Sequence, residues 1–404
     1  MINSSNKIKN KDNEIKEKIL VFSNKGIIIL LYIFSFFSFT SKSMTSISGG
    51  LIIILGMIKF FLEEKHNFSN NLLNKSIIIF LVSIILSGFG VWSSTVIDAM
   101  SKYILLGLLY FVIIDNLNSK KEIKNLIWLV FISITIAALY GLYQHYYLGI
   151  RRVSGFMLTL SFGGILAFFL VYIISFISWG KIALYKKLIL IFPMILFGLN
   201  LFLNQSKSAW IGMVVGLFFL ILFKNRKIAI TLIIILLILA FLLPANIVQQ
   251  ILSEFDLVLD RSNRTRLFLW ESAFKMWADH PINGVGIGRF QTEYINNYKG
   301  PNSFGTTVNA HNNFLQFAAV SGTIGFLSFV LLIFAILKYL YDFYNQIDKD
   351  NWKLFIFSTF IAMIVFNIQG LANVNFLEDT SIKFFWFWIA IHVSLKKQLL
   401  NEVK

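Results

Sequence analysis

The side chains in this sequence that could do chemistry are cations, histidines and a few aromatic and amide groups. A polar stretch at residues 246–311 holds Arg261, Arg264, Arg266 and Arg289 together with His280 and His311. Two further cationic sites lie upstream, in Arg151-Arg152-Val-Ser154-Gly155-Phe156 and in Gln205-Ser206-Lys207-Ser208-Ala209-Trp210. Guanidinium groups make paired hydrogen bonds to phosphate oxygens, and clustered cations offset charge growing on a departing diphosphate. An imidazole that titrates near neutrality can take the proton of an attacking hydroxyl. Cysteine is absent, which removes disulfides, thiolate chemistry and cysteine-ligated zinc. If Arg152, Lys207, Arg264 and Arg266 converge on one pocket with His311, the set suits a lipid diphosphate. No metal and no cofactor is expected.

Local spacing suggests how these groups are carried. Arg266-Leu-Phe-Leu-Trp270-Glu-Ser-Ala-Phe-Lys-Met-Trp277-Ala-Asp-His280 has helical periodicity, with Trp270, Ala273, Phe274 and Trp277 on one stripe. Pro281 stops the helix. The stripe predicts a helix lying on the membrane or on neighbouring spans; stacking of Trp270 on a sugar is the alternative. His280 reads as a cap at the helix C-terminus. In Pro281-Ile-Asn-Gly284-Val-Gly286-Ile-Gly288-Arg289-Phe290, glycines at alternate positions allow a tight turn and close backbone approach. The spacing, and the lack of a strand–helix unit around it, argue against a nucleotide-binding loop. Asn309-Ala-His311-Asn312-Asn313-Phe-Leu-Gln316 then sets His311 at the mouth of an apolar helix. There it is either a proton-transfer group or a hydrogen-bonded interfacial histidine. Arg152 and Lys207, at outer boundaries, bind either an anion or lipid headgroups.

The elements that must position these groups are membrane helices. The chain has 404 residues, 57% hydrophobic and 14% charged, far below the charged fraction of soluble domains. Twelve apolar runs approach bilayer-crossing length, at 26–43, 46–62, 75–92, 97–115, 125–146, 158–179, 187–204, 208–223, 228–244, 312–340, 353–371 and 381–396. Interruptions leave ten to thirteen spans open, and the first part of 312–340 could lie at the interface. The net charge of +16 sits mainly between the runs, which is the positive-inside pattern rather than a nucleic-acid footprint. It sets the N-terminus inside and the long polar loop outside. The expected organisation is a cytoplasmic tail (1–25), nine spans (26–244), an outer loop (245–311), three spans (312–396) and a second tail (397–404). Nine spans against three, with no internal repeat, speaks against a transporter. The fold class is all-α, polytopic, with one large extracytoplasmic loop.

With these residues in view, a resemblance becomes specific. Arg266-x-x-x-Trp270, then His280-Pro281-x-x-Gly284-x-Gly286-x-Gly288-x-Phe290, then His311-Asn312-x-x-Leu315 with Gly322 and Gly325, resembles the O-antigen ligase and polymerase superfamily. That superfamily also holds pilin O-oligosaccharyltransferases. Arg152-Val-Ser-Gly155-Phe156 is similar to its R-x-x-G-[TF] element, and Ser206-Lys207 stands in place of its Ser-Arg element. Lysine there lacks the guanidinium fork, and the family's His-Pro or Pro-Asn pair is missing from Met157-Leu-Thr-Leu-Ser161. The resemblance implies metal-independent, inverting transfer of a glycan from undecaprenyl diphosphate at the periplasmic face of a bacterial inner membrane. For a ligase the acceptor is a sugar hydroxyl of lipid A core. His311 and Arg266 carry over as catalytic residues. Arg264, Arg152, Lys207, Arg289, Asn312 and Trp270 are the substrate-binding candidates. Membrane lipids are partners and nucleic acid is not. A repeat-unit polymerase, a protein O-oligosaccharyltransferase and a polysaccharide or lipid-carrier transporter are the alternatives.

Overall fold

The structure, a computed structural model, describes residues 2–63, 66, 68, 70–228, 261–300 and 309–401. Eight helices precede the polar stretch: α1 (Ile2–Phe37), α2 (Lys42–Leu62), α3 (Leu72–Ser87), α4 (Ser94–Asn116), α5 (Lys120–Tyr146), α6 (Thr159–Trp179), α7 (Leu184–Asn204) and α8 (Lys207–Lys224). Within the stretch lie α9 (Arg261–Asp279) and the short α10 (Phe290–Glu293), which runs into a π turn at Tyr294–Tyr298. The chain continues through α11 (Asn313–Gln346), α12 (Asp350–Gln369) and α13 (Asp379–Asn401). No strand occurs among the described residues. Nine of the described helices are long and apolar enough to cross a membrane, and α3 is a shorter apolar helix. The chain is an all-α polytopic membrane protein.

Each expected span falls on one of these helices except 228–244, of which 229–244 lie outside the described residues, as do 245–260 and 301–308 of the expected loop. Helix α1 begins inside the expected tail, at Ile2. The tail is rich in Lys, with no Gly or Pro before Gly26, and a Lys18–Glu14 pair at 2.6 Å spans one turn. Ser41, Asn71, Ser93 and Ser119 open α2 to α5 by accepting from backbone N–H groups of the first turn.

Helices α6 and α13 form the centre. Phe384, Phe385, Trp386, Phe387 and Trp388 of α13 are consecutive and all buried, so this helix is covered on every side. It packs on α4 and α5, while α6 packs on α7, α8 and α12. Lipid tails are as apolar as leucine, so close packing and interhelical hydrogen bonds must hold such a bundle. Ring contacts such as Phe168–Phe384 at 5.2 Å supply the first.

The loops sort into two ends. At one, Lys59 Nζ donates to Asn116 Oδ1 (2.7 Å), Lys397 Nζ to the Ile114 carbonyl (2.9 Å), and Asn351 exchanges two bonds with Lys181. At the other, Lys102 Nζ donates to the Leu377 carbonyl (2.8 Å), Arg152 Nε to the Asn204 carbonyl (3.2 Å) and the Asn313 N–H to the Gly370 carbonyl (2.8 Å). Segments that the charge bias assigns to one side therefore meet each other.

Candidate functional site

The polar stretch folds back on the start of α11. Helix α9 buries Leu269, Ser272, Ala273 and Met276 and packs along α11. Trp277 Nε1 donates to Thr323 Oγ1 at 3.0 Å. Of the expected stripe, Ala273 is buried and Trp277 meets α11, while Phe274 is 56% exposed at the protein surface. Small Ser272 and Ala273 allow the helix to approach its neighbours, and Ser272 Oγ donates to the Tyr298 carbonyl at 2.8 Å.

Helix α11 is broken at Gly322, which has φ 63° and ψ −163°. The break strands four backbone groups, and such groups beside a membrane need partners. The glycine loop supplies them. The N–H groups of Val285 and Gly286 donate to the carbonyls of Ala319 (2.9 Å) and Val320 (3.1 Å). Those of Thr323 and Ile324 donate to Pro281 (2.7 Å) and Ile282 (3.5 Å). A Cβ on Gly322 would lie 2.1 Å from the Ile282 oxygen, and one on Gly284 would lie 2.4 Å from the Ser321 nitrogen. Side chains at these two positions are excluded by this backbone contact. The stub of α11 from 313 to 321 is thereby fixed between the loop and α12.

His311 stands just before that stub. Its backbone is left-handed, with φ 50°, a conformation costing a non-glycine residue about 1–3 kcal/mol. Its N–H donates to Asn309 Oδ1 (2.9 Å), and the preceding N–H, of Ala310, donates to Gln316 Oε1 (2.8 Å). At about 0.5–1.5 kcal/mol net for each bond, the two offset most of that cost. The ring's Nδ1 is buried with no hydrogen-bond partner among the described residues. Burial lowers the imidazole's pKa, and the positive charge of Arg266 lowers it further, to about 4. His311 is therefore a neutral imidazole at physiological pH, beside a cation.

The other sequence candidates separate into three groups. Arg266 is half-buried on α9, acts electrostatically on His311, and donates to Asn263 Oδ1 at 3.3 Å. Arg264 and Trp270 are half-buried on the same helix, Trp270 one turn after Arg266, and the indole Nε1 is buried without a partner among the described residues. Arg152 and Lys207 form a second group. Arg152 donates to the carbonyls of Asn204 (3.2 Å) and Gln205 (3.4 Å) at the C-terminus of α7, where a cation is favoured. Lys207 opens α8 two residues later. This group joins the first through α6. A Cβ on Gly163 would lie 2.3 Å from Asn204 Oδ1, one on Gly164 would lie 2.4 Å from Gln369 Oε1, and Gly370 accepts from Asn313.

Arg289 and Asn312 are committed locally. The Arg289 guanidinium pairs with Glu293, one turn on, and reaches the Val285 carbonyl at 3.4 Å. It braces the glycine loop. Asn312 is the N-cap of α11, its Oδ1 accepting from Phe314 (2.9 Å) and Leu315 (3.2 Å). His280 is exposed, and its carbonyl accepts from Gly284 at 3.0 Å, closing the turn after α9. Gln316, Asn309, Asn204 and Gln369 were not singled out by sequence reasoning. Their signal, amides at the starts and ends of apolar helices, is visible in the sequence but has no periodicity.

Residues 192–330 match the family model described as O-antigen ligase. The chain is similar to the O-antigen ligase family over this segment. The ligase segment contains Lys207, Arg264, Arg266, Trp270, Arg289, His311 and Asn312. Arg152 lies outside it, yet bonds to Asn204 and Gln205 within it. Among similar proteins is one named "Putative polysaccharide ligase" in Rickettsia felis, 29% identical over 48% of this chain and 50% of its own length. One of the same name in Rickettsia conorii is 30% identical over 48% and 49%, and one in Rickettsia bellii 28% identical over 56% of each chain. The chain thus spans about half the length of the curated relatives it matches.

Proposed function

We propose that the protein is an O-antigen ligase. It transfers a polysaccharide from undecaprenyl diphosphate to a sugar hydroxyl of lipid A core, at the periplasmic face of a bacterial inner membrane. The observation that carries this reading is a buried imidazole nitrogen without a partner among the described residues, beside an arginine, within the O-antigen ligase segment. In the proposed step His311 takes the proton of the acceptor hydroxyl as its oxygen attacks the anomeric carbon. The bond from that carbon to the diphosphate oxygen breaks, and its electron pair leaves with undecaprenyl diphosphate. In-line attack inverts the anomeric configuration. Arg266 and Arg264, with Arg152 and Lys207 across α6, offset the charge that grows on the leaving group, so the reaction needs no metal.

A neutral base fits this order of events. Binding an anionic diphosphate beside Arg266 offsets the charge that depresses His311, so the imidazole becomes a stronger base once the donor is in place. The test is reconstitution of the purified protein with a polyprenyl-diphosphate-linked glycan and a lipid A-core acceptor, with and without a chelator. Core-linked polysaccharide formed equally in both is expected. Glycan joined to a second lipid-linked glycan would make the protein a polymerase instead. Transfer abolished by the chelator would end the metal-independent mechanism.

A further inference from the structure

Resting on the reading of His311 as the base, we propose that Gln316 is a positioning residue. Together with Asn309 it holds His311 in its left-handed turn, and so fixes where the imidazole stands. Two consecutive backbone N–H groups are held by side chains from opposite directions along the chain. Asn309, before the histidine, accepts from His311, and Gln316, after it, accepts from Ala310. The second bond is not part of the capping of α11, because Asn312 Oδ1 already serves the N–H groups of Phe314 and Leu315. Its donor lies six residues before its acceptor, outside the helix altogether. Gln316 and Ala310 are both buried, so water does not readily replace the glutamine oxygen.

The glutamine also stands on a rigid base. Its own N–H donates to the Asn312 carbonyl at 2.8 Å, the next N–H along from Asn312, that of Asn313, is tied to Gly370, and the end of the stub is clamped by Val285 and Gly286. A positive φ at histidine is held only where surrounding structure over-determines it. Without the Gln316 bond the Asn309–Ala310 peptide is free to turn, which shifts the turn that carries His311 and swings the ring away from the buried position beside Arg266. A displacement of about 1 Å at a reacting group costs on the order of 100-fold in rate. Gln316 acts through the backbone of His311, and that makes it a positioning residue rather than a catalytic one.

The test uses full-length protein in lipid nanodiscs with isotope-labelled histidine, the His311 signal being assigned by its loss in His311→Ala. In the wild type the ring should titrate near 4. In Gln316→Met, which keeps length but loses the acceptor, the midpoint should rise towards the ordinary histidine value as the ring leaves its buried place. Transfer should show kcat lowered about 10- to 100-fold with KM for the donor little changed. Asn309→Ala should move both readouts the same way, and serves if Gln316→Met fails to fold. An unmoved midpoint in the folded variant overturns the proposal, whatever happens to transfer. A moved midpoint alongside a fully active His311→Ala would uphold the positioning and remove the base assignment instead.

Discussion

Two buried imidazoles in this molecule have opposite surroundings. His392, in the middle of α13, has no exposure and both ring nitrogens in use. The Trp388 carbonyl can only accept, so the Nδ1 facing it at 2.8 Å carries the proton. Nε2 then accepts from Thr359 Oγ1 at 2.6 Å, Thr359 accepts from Tyr172 OH at 2.6 Å, and Tyr172 accepts from Trp388 Nε1 at 2.9 Å. The circuit closes on itself and ties α6, α12 and α13 together. His311 instead has a buried ring nitrogen without a partner among the described residues, a left-handed backbone and an arginine that opposes its protonation. A satisfied histidine stabilises a fold. One that is held in place and left unsatisfied is available for chemistry.

The sharpest way to break this contrast is His311→Ala. Transfer should fall about 10²- to 10⁴-fold, the usual contribution of a positioned base, while the melting temperature in detergent stays close to wild type. A folded variant at full rate would make His311 as structural as His392. Next comes Arg266→Gln, with a loss of about 10²- to 10³-fold if the guanidinium meets developing charge. The pH dependence carries a second readout. The neutral ring is the base, so kcat/KM should hold down to near pH 4 and fall below it. Removing Arg266 takes away the smaller of the two causes of depression, so the acidic limb should move upward yet stay below the ordinary value of about 6.5. For the same reason the limb of kcat, reporting the donor complex, should lie above that of kcat/KM.

On the other side of the comparison, His392→Leu should leave turnover per folded molecule nearly unchanged. It opens the circuit and removes the imidazole from both the Thr359 hydroxyl and the Trp388 carbonyl. The expected loss is about 1–2 kcal/mol, near the upper range for interhelical hydrogen bonds in membranes. Thermal or denaturant unfolding would measure it. A variant as stable as wild type but unable to transfer glycan would place a functional group in the bundle centre and reverse the assignment.

Much of the architecture was legible because apolar runs of bilayer length admit few alternatives to helices. The local roles of Arg289 and Asn312 were also written in spacing: Glu293 follows Arg289 by four, and Asn312 stands immediately before an apolar helix. Their proposed contacts with substrate are a separate matter, since a motif does not record which partner each side chain meets. That Leu269, Ser272 and Met276 are buried on α9 while Phe274 is exposed was not legible. It depends on which side of the helix fits against α11, and Ser272 and Ala273 win through close approach rather than apolar area. The docking of Gly284 on Gly322 was hidden for a similar reason, since backbone pairing between segments 38 residues apart in the chain leaves no periodic trace.

The smallest effect expected concerns Lys207, where this sequence has a point charge in place of the superfamily's arginine. Lys207 and Arg152 lie at the α7–α8 junction, joined to the start of α11 through Gly163, Gly164 and Gln369. If both hold the diphosphate while the α9 arginines meet the reacting bond, Lys207 contributes to donor binding more than to turnover. Lys207→Arg adds a fork able to make paired bonds to phosphate. The KM for donor should then fall about two- to fivefold, the scale of one partly exposed ion pair, with kcat little changed. Lys207→Gln should raise KM by a similar factor. A drop in kcat with KM constant would bring the lysine to the reacting centre, and the division of labour across α6 would have to be redrawn.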